Sequence, residues 1–181
     1  MKNIMMAATL LAGFGAVRAQ DAPEMPKPQK EHEWLHQLVG EWETDAEFTM
    51  DPAKPPMKSK GSESGRMVGG FWAVLENKGE FLGKPFTGIL TLGFDAEKKK
   101  YVATWVDSVM PVLWNYQGTL DGTGKILTLE TEGFCPEQPG KLTKFKETLE
   151  IKSADHKIFT SMREMDGKWV TGGVIQYRRK K

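Results

Sequence analysis

The sequence predicts an all-β protein: a single antiparallel meander of about ten strands closed into a β-barrel, with a short N-terminal helix plugging one end. Three observations carry that prediction. From Trp42 onward the chain repeats one phrase ten times, a run of five to ten residues rich in β-branched and aromatic types followed by a turn signal. Most connections are of hairpin length, so each strand must pair antiparallel with the next. A helical pattern stands before the first run, and ten meandering strands are best closed on themselves because closure removes exposed edges.

Residues 1–19 read as a signal peptide rather than as part of the fold. Lys2 precedes an apolar run from Ile4 to Val17 that ends in the small-residue pattern Val17-Arg18-Ala19, placing the expected cleavage after Ala19. The run is too short to stay across a bilayer, which takes roughly 20 apolar residues. No cysteine stands there to carry a lipid, so the expectation is a soluble periplasmic or secreted protein with no stable membrane anchor. Residues 20–30 contain Pro23, Pro26 and Pro28 among charges and read as a disordered leader. The folded domain is expected over residues 31–181, a size at which one core buries roughly two-thirds of the unfolded surface.

Within His32 to Trp42, Trp34, Leu35, Leu38 and Val39 fall on one helical face and Gly40 supplies a left-handed stop. The first strand then opens on Trp42. The ten runs are Trp42–Met50, Gly61–Val68, Phe71–Gly79, Phe86–Phe94, Tyr101–Asp107, Leu113–Leu120, Ile126–Glu132, Thr143–Lys152, Lys157–Met165 and Trp169–Arg178. Asp121-Gly122-Thr123-Gly124 and Asp166-Gly167 are tight hairpin signals, because glycine accepts the positive φ such turns demand. Asp51 to Lys60, rich in proline, reads as an irregular loop. Both faces of several strands are partly apolar, so alternation alone does not say which is inside.

Six tryptophans exceed what the core of one small domain needs, and a barrel with a lined cavity would use them. Trp114 and Tyr116 share a face, and the neighbouring strand can align Trp105 and Asp107 with them. These four and Trp72 are the candidate lining, with Asp107 as a polar anchor, as small-molecule cavities usually have. The expected ligand is therefore small and apolar or amphipathic. An enzyme would use the same cavity with Asp107 or Glu76 as general base, and an envelope interaction module would have a packed interior instead.

Composition excludes other classes. Removing Lys2 and Arg18 with the signal peptide leaves 23 basic against 24 acidic side chains, and such neutrality gives no basic patch for nucleic acid. Cys135 is the only cysteine, so no internal disulfide forms. His32-Glu33-Trp34-Leu35-His36 matches the zinc-protease pattern H-E-x-x-H. On the helical wheel, however, both histidines turn roughly 90 to 130° from the apolar face and are expected in water, so no metal is assigned. His156 lies at an expected hairpin turn, where it would be solvated. No Ser-His or Cys-His pair can be drawn, and no catalytic residue or cofactor is assigned.

These landmarks resemble a bacterial family, the domain of unknown function 1579, which is similar to the calycin barrels (lipocalins, fatty-acid-binding proteins, nitrobindins). The resemblance rests on His32-Glu33-Trp34-Leu35, Leu38-Val39-Gly40-Glu41-Trp42, Gly83-Lys84-Pro85-Phe86-Thr87-Gly88, Gly93-Phe94-Asp95, Lys99-Lys100-Tyr101, Thr104-Trp105-Val106-Asp107-Ser108 and Tyr177-Arg178-Arg179. It runs from His32 to Arg179. Nitrobindins carry a histidine-ligated haem, but no histidine here falls inside a strand. What the resemblance implies is structural: Gly40-x-Trp42 is similar to the lipocalin signature, whose tryptophan packs against an arginine of the last strand. Arg179, on the face of Tyr177, is the expected partner, and Arg178 the alternative.

Overall fold

The computed structural model describes residues 24–50, 53–135 and 140–181, and the expected signal peptide lies outside them. Residues 24–29 are exposed and without regular structure. The helical segment is less regular than its apolar face implies. α1 covers Lys30–Trp34, after which Leu35–Gln37 tighten into a 3-10 turn. Gly40 then enters the first strand at φ +110°, with the Arg179 guanidinium filling the space where a side chain would stand.

Ten strands follow: β1 (Gly40–Phe48), β2 (Met57–Val68), β3 (Trp72–Phe81), β4 (Lys84–Asp95), β5 (Lys100–Asp107), β6 (Trp114–Leu120), β7 (Ile126–Phe134), β8 (Leu142–Ser153), β9 (His156–Met165) and β10 (Lys168–Arg179). Each pairs antiparallel with its sequence neighbours, and β10 closes on β1, giving a closed barrel. The turns work as their residues demand. Asp166 and Gly167 both take positive φ, 50° and 74°, as a two-residue type I′ hairpin requires. Asp121 accepts the Thr123 hydroxyl and the backbone N–H groups of Lys125 and Ile126, which lowers its carboxyl pKa to about 2.

The proline-rich stretch is a loop over only part of its expected length. Residues 51 and 52 lie outside the described residues, but Met57 to Lys60 belong to β2, with Met57 opposite Phe48. The reason is cross-strand charge: Lys58 reaches Glu47 at 2.9 Å and Lys60 reaches Asp45 at 3.8 Å on the outer face.

The register divides the interior into two halves. At the helix end, Trp34, Leu35 and Leu38 dock on Ala73, Leu75, Leu92, Tyr101, Ala103, Leu127, Leu129 and Leu149 to form the buried core. Each fully buried leucine there stabilises the fold by about 1.5–3 kcal/mol. The Trp34 indole N–H donates to the Gly124 carbonyl at 2.9 Å, and the Tyr101 hydroxyl donates to the Glu31 carbonyl at 3.1 Å, so polar bonds pin the plug as well. At the opposite end no element covers the mouth among the described residues. Its loops and strand ends expose Met50, Leu82, Val109, Leu113, Phe134, Leu142 and Trp169. Cys135, just beyond β7, is buried.

Candidate functional site

The helix end is built around Trp42. The Arg179 guanidinium lies 4.1 Å from its ring centroid, and Arg179 donates to the carbonyls of Val39 and Ala154, each at 3.0 Å. The same indole donates its N–H to the Leu38 carbonyl at 3.0 Å, tying strand to plug. A second cation shares the ring. Lys157, 0% exposed, places its Nζ 4.4 Å from the Trp42 centroid and 4.9 Å from that of Tyr177. It donates to Glu63 (3% exposed) at 2.6 Å and to the Leu38 carbonyl at 2.9 Å. Burial lowers the Lys157 pKa and the Glu63 charge opposes that shift. Gly40, Trp42 and Arg179 thus sit in a closed, structural cluster.

The mouth half differs in kind. Trp105 pairs across strands with Trp114, and Tyr116 pairs with Ala103 on the same inner face. These three side chains point inward and are half-buried. The large rings lie flat on the wall over glycines. Trp105 covers Gly88, Trp114 covers Gly133, and Phe48 covers Gly173, each so closely that a Cβ there would collide with the ring. Phe86 stacks on Trp105 at 6.3 Å, and Phe145 meets Trp114 edge-on at 5.2 Å.

Asp107 lies on this inner face opposite Gly88, but it is not the free polar anchor expected. Its Oδ2 accepts the Trp105 indole N–H at 2.9 Å, and its Oδ1 accepts the backbone N–H groups of Val109 at 2.9 Å and Met110 at 2.8 Å. The carboxylate fixes one indole and caps the following loop. A second carboxyl on the inner face is Glu147 on β8, between Leu129 and Ser161. Its Oε1 accepts the Ser161 hydroxyl at 3.1 Å, while its Oε2 has no hydrogen-bond partner among the described residues; the Thr143 hydroxyl, four residues back along the strand toward the mouth, has none either. Burial raises the Glu147 pKa to about 8 against the lowering effect of Ser161. Burial, with the charges of Glu147 and Asp107, raises the Tyr116 pKa well above the usual phenol value. The signal for Glu147 was present in the alternation Phe145, Glu147, Leu149, Ile151, a carboxyl on an otherwise apolar face.

Trp72 does not line the lumen. It is 40% exposed on the outer face and lies across Gly93 of β4, while its neighbours Ala73 and Leu75 take the inner positions. An indole suits a glycine groove on either side of a sheet, and composition does not distinguish them. Glu76 is on the outer face too, 3.0 Å from Lys78. Two of the three histidines also depart from expectation, His32 and His156. His32 is only 4% exposed, packed edge-on to Phe71 and Phe94, with Nδ1 accepting the Gln29 N–H at 2.9 Å. His36 is exposed, so the two imidazoles occupy opposite environments. His156 is half-buried, 2.7 Å from the Gln176 amide oxygen. No group of three His, Cys, Asp or Glu that could hold a metal occurs among the described residues.

The profile of the family described as "Protein of unknown function (DUF1579)" matches residues 27–179. No curated protein matches the sequence. Among solved structures, Rv2717c from M. tuberculosis is similar at TM-score 0.61 and 14% identity, covering 86% of this chain and 100% of that one. The S-type phycobiliprotein lyase CPES from Guillardia theta is similar at TM-score 0.56 and 16% identity, covering 85% and 99%. At these identities the likeness is one of fold.

Proposed function

We propose that this chain, which belongs to the DUF1579 family of calycin-like barrels, binds a small apolar or amphipathic molecule in the mouth half of its barrel. One observation carries the reading: Trp105, Trp114 and Tyr116 point inward yet are only partly buried, with both indoles pressed on wall glycines. An interior meant only to be packed would interdigitate such rings, as the helix end interdigitates its leucines. The apolar rim at the mouth suits a ligand of low solubility. Catalysis through Asp107 or Glu76 draws no support, since the first is engaged by three N–H donors and the second faces outward.

The test is titration of the full chain with an apolar fluorescent probe. Roughly micromolar affinity, about 8 kcal/mol, is expected. Trp105→Ala and Trp114→Ala should each weaken it about tenfold or more, while the outward Val106→Ala leaves it unchanged. A folded sample that binds no probe returns the barrel to the interaction-module reading.

We also infer export, from Lys2, the Ile4 to Val17 run and Val17-Arg18-Ala19. N-terminal sequencing of the protein from its own host should begin at Gln20, and an intact Met1 would refute export by cleavage.

A further inference from the structure

We propose that the ligand is an organic cation whose ammonium group seats on Glu147 and whose apolar body lies against Trp105, Trp114 and Tyr116, an assignment that rests on the lumen being a ligand site.

Glu147 is 8% exposed, and a single hydroxyl is little compensation for a carboxyl in that setting. Its Oε2 and the Thr143 hydroxyl are buried without hydrogen-bond partners among the described residues. Buried polar groups are ordinarily satisfied, and a carboxyl oxygen left open on the inner face of the barrel marks where a bound group completes the bonds.

The surrounding charges decide the sign of that group. Those facing the lumen near Glu147 are Asp107, Tyr116 and Arg163, with the Lys157 and Glu63 pair deeper at the helix end. Asp107 is taken up by Trp105, Val109 and Met110. Arg163 leans toward β10, its Nη1 against Gly172, on the far side of β9 from the strand that carries Glu147. Lys157 is closed in by Glu63 and Leu38. Among the described residues, the side chain bonded to Glu147 is the neutral Ser161 hydroxyl. An ammonium would find a carboxylate partner and the faces of three aromatic rings, which attract cations through their quadrupoles.

The chemistry balances by proton exchange. Burial raises the Glu147 pKa to about 8, which favours the protonated carboxyl at neutral pH. On binding, the carboxyl loses its proton to solvent and the ammonium takes its place as the counter-charge. No bond other than O–H breaks. Affinity should rise about tenfold per pH unit from pH 6 toward 8, with up to one proton released per ligand bound.

Three probes that differ only at the polar end decide the matter: 1-naphthylmethylamine, 1-naphthalenemethanol and 1-naphthoic acid, titrated calorimetrically into the full chain at pH 6 and pH 8. The amine should bind at least about tenfold tighter than the alcohol at pH 8, the scale of a charge-assisted hydrogen bond. Its heat should change with the ionisation enthalpy of the buffer, reporting the released proton. Glu147→Gln, isosteric and uncharged, should abolish the amine preference and leave the alcohol within about twofold. An amine no tighter than the alcohol, or an acid tighter than both, overturns the cation assignment and leaves the lumen site standing. Should none of the three bind the folded chain, the lumen reading itself falls, and this proposal with it. The buffer dependence is read on the unaltered protein, so the outcome does not hang on the variant folding.

Discussion

The two ends of this barrel treat buried polarity in opposite ways. At the helix end every polar group named above is engaged: Lys157 with Glu63 and Leu38, Trp42 with Leu38, Arg179 with Val39 and Ala154. At the mouth Glu147 Oε2 and Thr143 are left without partners among the described residues, and the aromatic rings are half-exposed. The same sheet builds a fully bonded cluster at one end and leaves a buried carboxyl oxygen without a partner among the described residues toward the other. Polar residues inside a barrel are thus not one class, and how completely each is satisfied separates scaffold from site.

Substitutions should break or sharpen that contrast in a definite order. The largest effect belongs to the helix end: Glu63→Gln should destabilise by about 3–5 kcal/mol in urea unfolding, because Lys157 is left as a buried cation without a counter-charge. Adding Lys157→Met should recover much of the loss, since apolar replacement of a buried pair is often neutral. Trp42→Ala should remove about 3–5 kcal/mol, and its cycle with Arg179→Ala should be non-additive by about 1 kcal/mol. Additivity there would remove the stacking claim. Next comes Glu147, where the sign reverses. Its pKa is raised on folding, so the native state holds a proton that the unfolded chain releases, and stability should fall as pH rises from about 4.5 to about 8. The decline should amount to at most roughly 5 kcal/mol, and Glu147→Gln should flatten it; an unchanged pH slope in that variant would refute the buried-acid assignment. Trp105→Ala, removing a half-exposed ring, should lower stability by only about 1–2 kcal/mol while weakening probe binding far more. The smallest effect is expected of exposed His36→Ala, within about 0.5 kcal/mol.

How much of this was legible follows from the range of each interaction. Ten strands and their hairpins could be read because Asp166-Gly167 and Asp121-Gly122 act on neighbouring residues. The barrel's closure, β10 on β1, followed from the need to remove edges. The faces were harder. Trp72 and Trp105 sit in similar alternating surroundings, and only the position of Gly93 outside and Gly88 inside distinguishes where their rings rest. Lys157 and Glu63 meet across 94 residues, and a lysine near a turn reads as solvated until the fold brings its partner to it. Asp107 was found on the right face but given the wrong task, because its partners Val109 and Met110 are backbone groups of a loop without regular pattern.

The glycines beneath the rings carry a consequence for how such a barrel diversifies. A bound molecule would touch Trp105 and Trp114 and never Gly88 or Gly133, yet those glycines decide how far each ring stands from the wall. A methyl group gained at either position pushes the ring inward, so the shape of the barrel interior is set partly by residues behind the rings that face it. Change at these pairs also has a direction in time: the ring must shrink before the glycine can grow. Ancestral reconstruction of this barrel should find the two steps in that sequence, and divergence in ligand choice will be under-read wherever only the lining is compared.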